Sequence, residues 1–149
     1  MALSNQEYLQ INQALFSLSH SYESRMAREK GRNVLGLRMS DCSVLMVMSR
    51  FAPLTSRRLS QLMDVNPGAV SLYVQHLVEK GLVRKEQDRE DRRNWRLTLT
   101  GTGRIAAQGV VAGAVEYTQD FLSGLEEGER RELHRLLLKA SHALGFDWQ

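Results

Sequence analysis

The chain has 149 residues, 42% of them hydrophobic and 25% charged, with 20 basic against 17 acidic side chains for a formal charge of +3. This is the composition of one soluble domain with a real core: no apolar run approaches the roughly 18 residues of a membrane span, and the opening MALSNQEYLQINQALF lacks the basic, apolar and cleavage regions of a signal peptide. A single cysteine, Cys42, excludes an internal disulfide and points to a reducing cytoplasm.

Near the start, Tyr8, Ile11, Leu15, Leu18 and Tyr22 recur at steps of three and four, predicting an amphipathic helix that GRNVLG interrupts. Ser40 then reads as an N-cap, with Asp41 as an acid in the first turn of a helix through Val44, Leu45, Val47 and Met48. Pro53 closes it, because the residue before a proline avoids the helical region. Thr55 caps a further helix with Leu59, Leu62 and Met63 facing inward, and DVNP breaks that one. Asn66 caps the next, with Pro67 at its first position, Val70, Val74 and Leu77 along one stripe, and Gly81 as a left-handed terminator. Two short helices joined by a tight turn make a helix-turn-helix.

After Gly81 the helical period gives way to alternation: LVRKEQD and WRLTLT both read as strands, with Leu97 and Leu99 on one face and Arg96, Thr98 and Thr100 on the other. A hairpin directly after a helix-turn-helix is a winged helix. Between its strands, DREDRR packs three acids and three arginines into six consecutive positions. Beyond Gly103, Ile105, Ala112, Val115, Leu122 and Leu125 mark a long helix in which Gly109 and Gly113 permit close helix approach, and Leu133, Leu136, Leu137, Ala140 and Leu144 mark a last one. The fold class is therefore mainly α: a winged helix-turn-helix with a two-stranded β-hairpin wing and terminal helices. Those terminal apolar stripes exceed what a small winged helix can cover, which predicts a symmetric homodimer through the chain ends.

Three stretches carry a more specific resemblance: LxxxxLSxL at Leu54–Leu62, GxVSxxVxxLxxKGLVR at Gly68–Arg84, and DxxDRRxxxLxLTxxG at Asp88–Gly103. In this order they resemble the multiple-antibiotic-resistance regulator (MarR) family of winged-helix transcription factors. The resemblance implies a single domain over residues 1–149, with a DNA-binding lobe at about 37–103 and a helical dimerisation lobe from 1–30 and 104–149. It also implies a homodimer that binds double-stranded DNA at a short palindromic operator, represses a nearby gene, and is released by a small ligand or by cysteine oxidation. No cofactor and no metal are implied.

The wing charges sum to zero, so orientation rather than net charge must carry any effect. Asp91, two residues before Arg93, can accept its guanidinium or the loop N–H groups and fix the tip. Arg93 is then the candidate for the minor groove, where negative potential favours arginine, with Arg89 and Arg92 on phosphates. On the second helix of the motif, Gly68, Ala69, Ser71, Leu72, Gln75 and His76 face outward, toward a major groove. Ser71 suits a phosphate. Arginine is common in the family at the places of Leu72 and His76, so either thymine methyl contacts or the wing and DNA shape must supply specificity here. Arg57 and Arg58 on the first helix of the motif, and Arg84 with Lys85 on the first strand, are further phosphate candidates, equally readable as ordinary surface cations.

The family's ligand cleft lies between its dimer helices and DNA-binding lobe; the resemblance puts His20, Arg25, Met39, Cys42 and Met46 there, although methionines at helical spacing serve core packing as readily. At the start of a helix, Cys42 invites a redox-sensing alternative, against which stands its distance from the first helix, where peroxide-sensing relatives place theirs. An enzyme is disfavoured: His20, His76, His134 and His142 are dispersed, without acids or cysteine at metal-ligand spacing, and neither a nucleophile-elbow motif nor a phosphate-cradling glycine loop is present. A winged helix used to dock another protein, as an antirepressor does, is the remaining alternative.

Overall fold

The computed structural model describes residues 2–28, 35–89, 91 and 95–146. In chain order the elements are α1 (Asn5–Arg28), α2 (Met39–Phe51), β1 (Leu54–Thr55), α3 (Ser56–Met63), α4 (Pro67–Glu79), β2 (Val83–Gln87), β3 (Trp95–Leu99), α5 (Gly101–Phe121) and α6 (Glu127–Ala143). The chain divides into two compact units, Met1–Met39 and Ser40–Gln149.

In the first unit, Ser4 opens α1 with a capping box. The Glu7 N–H donates to Ser4 Oγ at 3.3 Å, and the Ser4 N–H returns a bond to Glu7 Oε2 at 2.7 Å. That bond holds the Glu7 carboxyl below its usual range. Of the periodic residues that predict the helix, Tyr8, Ile11, Leu15 and Leu18 are exposed in the single chain and Tyr22 is half-buried.

The second unit holds a core built from both sides of the helix-turn-helix. From α2 come Val44, Leu45, Val47 and Met48; from α3, Leu59 and Leu62; from α4, Val70, Val74 and Leu77; from the sheet, Leu54, Val83 and Leu97. Every inward position read from the apolar stripes of α2 and α4 is buried, while Met63 of α3 is half-buried. Ser40 is the exception among the caps. Helix α2 starts at Met39, so Ser40 sits inside the first turn, and the neighbouring Asp41 and Cys42 are buried rather than presented to solvent.

The sheet has three strands in the order β1-β3-β2, all antiparallel, with Leu54 opposite Leu97, and Val83 opposite Leu99. The expected two-stranded hairpin is present as β2 and β3. The added strand β1 is two residues long, too short to show any alternation in sequence.

Helix α5 buries only Gly103, Ala107 and Val110, all in its first half, and α6 buries no residue. Ile105, Val115, Leu136, Leu137 and Leu144 are exposed, Ile105 and Leu144 by more than two thirds. Among the described residues, a Cβ built on Gly109 meets nothing within 4 Å, so no close helix approach is made there.

Candidate nucleic-acid interface

Helix α3 starts where Thr55 Oγ1 accepts the Arg58 N–H at 3.2 Å, and α4 starts where Asn66 Oδ1 accepts the Ala69 N–H at 2.9 Å, with Pro67 at the first position. Between them Asp64 takes the left-handed conformation at φ 52°, which a short polar side chain tolerates. Helix α4 ends in a Schellman turn. Gly81, at φ 71°, donates to the Val78 carbonyl and Leu82 donates to the Leu77 carbonyl, each at 2.9 Å, while the Leu77 and Leu82 side chains are wholly buried. Both ends of α4 are thereby fixed by local chemistry already visible in sequence.

The wing grows from the same turn. Thr100 Oγ1 donates to the Gly81 carbonyl at 2.7 Å and accepts the Gly103 N–H at 2.9 Å, and the Thr100 N–H donates to the Leu82 carbonyl at 3.0 Å. One threonine thus ties the end of β3 to the end of α4 and caps α5. Gly103 completes the junction: a Cβ there would stand 1.8 Å from the Leu82 oxygen and 2.8 Å from its carbonyl carbon. Only glycine fits.

Farther out, Asp88 is the wing's brace. Its side chain, 12% exposed, accepts Arg96 Nε from β3 on one oxygen and the Asp91 N–H on the other, the latter at 3.3 Å. The expected pairing of Asp91 with Arg93 lies outside the described residues; Asp88 is a brace that sequence reasoning missed, and its eight-residue separation from Arg96 across the hairpin is the signal that could have found it. Arg89, Asp91, Arg84 and Lys85 are exposed on the wing, and Arg57 and Arg58 are exposed on the first turn of α3. Arg92 and Arg93 lie outside the described residues. Phe51, Pro53, Leu54, Thr55, Arg58 and Arg96 line a cavity of about 290 Å³ beside the root of the sheet.

On α4, Gly68, Ser71, Leu72 and Gln75 are exposed and Ala69 is half-buried. His76 departs from its outward assignment. Its Nδ1 lies 2.9 Å from Oδ1 of Asp41, a carboxylate with no solvent exposure, and the imidazole keeps only a quarter of its surface. The pair joins α4 to α2 across 35 residues of sequence, with α2 contributing the acid read from sequence as a first-turn residue. His76 is thus half-buried and tied to the core through Nδ1.

Of the five ligand-cleft candidates, His20, Arg25 and Met39 belong to the first unit and Cys42 and Met46 to the second. His20 stacks on Phe16 within α1, with ring centroids 6.1 Å apart. Burial, and then the neighbouring Asp41 charge, push the Cys42 thiol up. A raised thiol suppresses the thiolate that peroxide attacks, so the structure favours the packing role over the redox one. Cys42 is expected to resist thiol reagents and mild peroxide in the native protein and to react fully once urea unfolds it; rapid native labelling would contradict its burial. The same shift has a pH consequence. The unfolded thiol ionises above about pH 8.5 while the folded one stays neutral, so its contribution to stability is intact below that pH and is lost above it.

Residues 35–94 match the sequence profile of the MarR family. The transcriptional repressor MdtR of Bacillus subtilis is 29% identical over 112 residues, covering 75% of this chain and 72% of that protein. Over this segment the chain resembles MarR-family transcriptional regulators. Solved structures agree on the fold: a MarR transcriptional regulator from Methanosarcina mazei superposes with TM-score 0.79 at 22% identity, covering 92% of this chain and 98% of that one. A MarR protein from Peptoclostridium difficile gives 0.80 at 19% identity, covering 97% and 93% respectively.

The motif that carries the resemblance to the MarR family has a physical reading in this structure. In LTxxG, Leu99 precedes the threonine that ties wing to helix, and the glycine admits the Leu82 carbonyl. In KGLVR, Gly81 and Leu82 form the helix terminator. Among the described residues no helix is long and apolar enough to cross a membrane, and no group of three His, Cys, Asp or Glu is placed to hold a metal.

Proposed function

We propose that this regulator is a cytoplasmic homodimeric repressor that binds a palindromic operator, laying α4 in the major groove and its wing along the adjacent minor groove. The observation that carries this reading is the mounting of α4 and the wing on one junction, the Gly81–Leu82–Thr100–Gly103 knot, with Arg57 and Arg58 exposed on α3 and Arg84 and Arg89 exposed on the wing. Such a mount presents cations and a helix N-terminus to a polyanion in fixed register. Asp88 and Asp91 support the same reading, since carboxylates inside a basic tip serve to aim it. Arg93, and Arg92 beside it, are the side chains we assign to the minor groove and its phosphates.

The dimer is supported by the bare apolar surfaces of α1, α5 and α6. Tyr8, Leu15, Phe16, Val115 and Leu144 are each at least half exposed in the single chain, and a second copy is the simplest cover for such a surface. The resemblance adds release by a small ligand, with His20, Arg25, Met39, Cys42 and Met46 as the residues to vary first.

Selection of bound sites from random duplexes, followed by a salt titration, tests the proposal. The selected sites are expected to be palindromic, with half-sites about one helical turn apart. Affinity should fall about a thousandfold between roughly 50 and 200 mM salt if six or so phosphates are neutralised. The variant Arg93→Ala should bind at least about tenfold more weakly. A salt-insensitive complex, or a chain that sediments as a monomer at micromolar concentration, would overturn it in favour of a protein-docking winged helix.

A further inference from the structure

The 13 residues of α4, PGAVSLYVQHLVE, include neither lysine nor arginine, so the helix has no side chain able to grip guanine O6 and N7 with two charged donors. Three of its polar side chains already have hydrogen-bond partners within the protein, two of them along the exposed face of the helix itself. Ser71 Oγ donates to the Pro67 carbonyl at 3.0 Å, Gln75 Nε2 donates to Glu79 Oε1 at 3.0 Å, and His76 meets the buried Asp41 at 2.9 Å. What projects instead is Leu72, 67% exposed, one turn after the small residues Gly68 and Ala69 at the helix start.

A leucine held this far into water on a helix flanked by Arg57, Arg58, Arg84 and Arg89 has a defined counterpart if that surface meets duplex DNA. In the major groove the apolar group offered at a base edge is the thymine 5-methyl. We propose that Leu72 is the specificity residue of α4 and reads a thymine methyl in each half-site, giving an operator whose α4-facing bases are selected by apolar contact rather than by guanine hydrogen bonds. The inference rests on the DNA-binding reading above. The exposed arginines of the adjoining α3 and wing favour a polyanion, and duplex DNA is the occupant we take. A purely apolar protein partner would leave those arginines without counter-charge.

The test replaces thymine by uracil, one position at a time, in the duplex obtained from site selection. This removes only the methyl and leaves pairing and hydrogen-bonding edges unchanged. One thymine per half-site should prove sensitive, uracil weakening binding about fourfold per methyl and about fifteenfold when both half-sites are changed. The variant Leu72→Ala, its fold checked by circular dichroism, should bind the thymine and uracil duplexes alike. If the wild-type chain binds the selected duplex but is indifferent to uracil everywhere, the assignment is overturned while DNA binding stands. If uracil sensitivity survives in Leu72→Ala, another side chain reads the methyl and Leu72 is excluded. If no duplex is bound even at low salt, the functional reading fails first and takes this one with it.

Discussion

Replacing Gly103 with alanine is expected to destabilise the fold by about 3 kcal/mol or more, read as a drop in the urea midpoint at unchanged slope. The added Cβ would fall 1.8 Å from the Leu82 oxygen, 2.8 Å from its carbonyl carbon and 3.2 Å from its Cα. All three are backbone atoms, so no rotamer can swing aside. Either α5 lifts away, breaking the Thr100 bonds at its start, or Leu82 shifts and opens the terminator of α4. The neighbouring Gly101→Ala provides the contrast. Its Cβ meets nothing within 4 Å, and alanine is the better helix former, so that variant should gain about 0.5–1 kcal/mol. Two substitutions of the same kind, two residues apart, are expected to move stability in opposite directions. A Gly103→Ala protein as stable as the parent would mean that α5 does not lie against Leu82.

The second large effect is expected at Asp41. The variant Asp41→Ala removes a carboxylate that is wholly buried and leaves the His76 Nδ1 facing a void where a charge-bearing partner stood. Removing one member of a buried polar pair costs about 3–5 kcal/mol when both are desolvated; the quarter of His76 that remains exposed lowers the expectation to about 2–4 kcal/mol. Asp41→Asn keeps an acceptor within reach and should cost less. The double variant Asp41→Ala/His76→Ala should be less destabilised than the sum of the singles, because the two changes remove one shared interaction. Additive losses in that cycle would show that the two side chains act independently.

Much of the DNA-binding lobe can be read from sequence because its boundaries are made by local chemistry. Thr55, Asn66, Pro67 and Gly81 each act within four residues of themselves, and the buried stripe of α4 is a direct record of helical period. What stayed hidden depends on partners distant in the chain. His76 belongs geometrically to the outward side of α4, and nothing within a turn of it announces Asp41, 35 residues earlier. Asp41 in turn resembles any first-turn acid until its burial is known. The strand Leu54–Thr55 shows no pattern because two residues cannot alternate, and it exists only because β3 lies open beside it. Asp88 was overlooked for a different reason: in a run of three acids and three arginines, composition does not say which carboxylate faces inward, and the register of the hairpin does. The exposed helices are the mirror case. Their stripes were legible, and a single chain leaves them uncovered.

Strands β2 and β3 are fastened together where they leave the body of the protein, by Thr100 on one side and the α4 terminator on the other, so the bonds that seat the wing lie at its root. Lengthening a closed loop is thermodynamically mild, about 0.6 kcal/mol for each doubling. The sequence joining the two strands beyond the Asp88–Arg96 pair can therefore change in length or charge at little cost to folding.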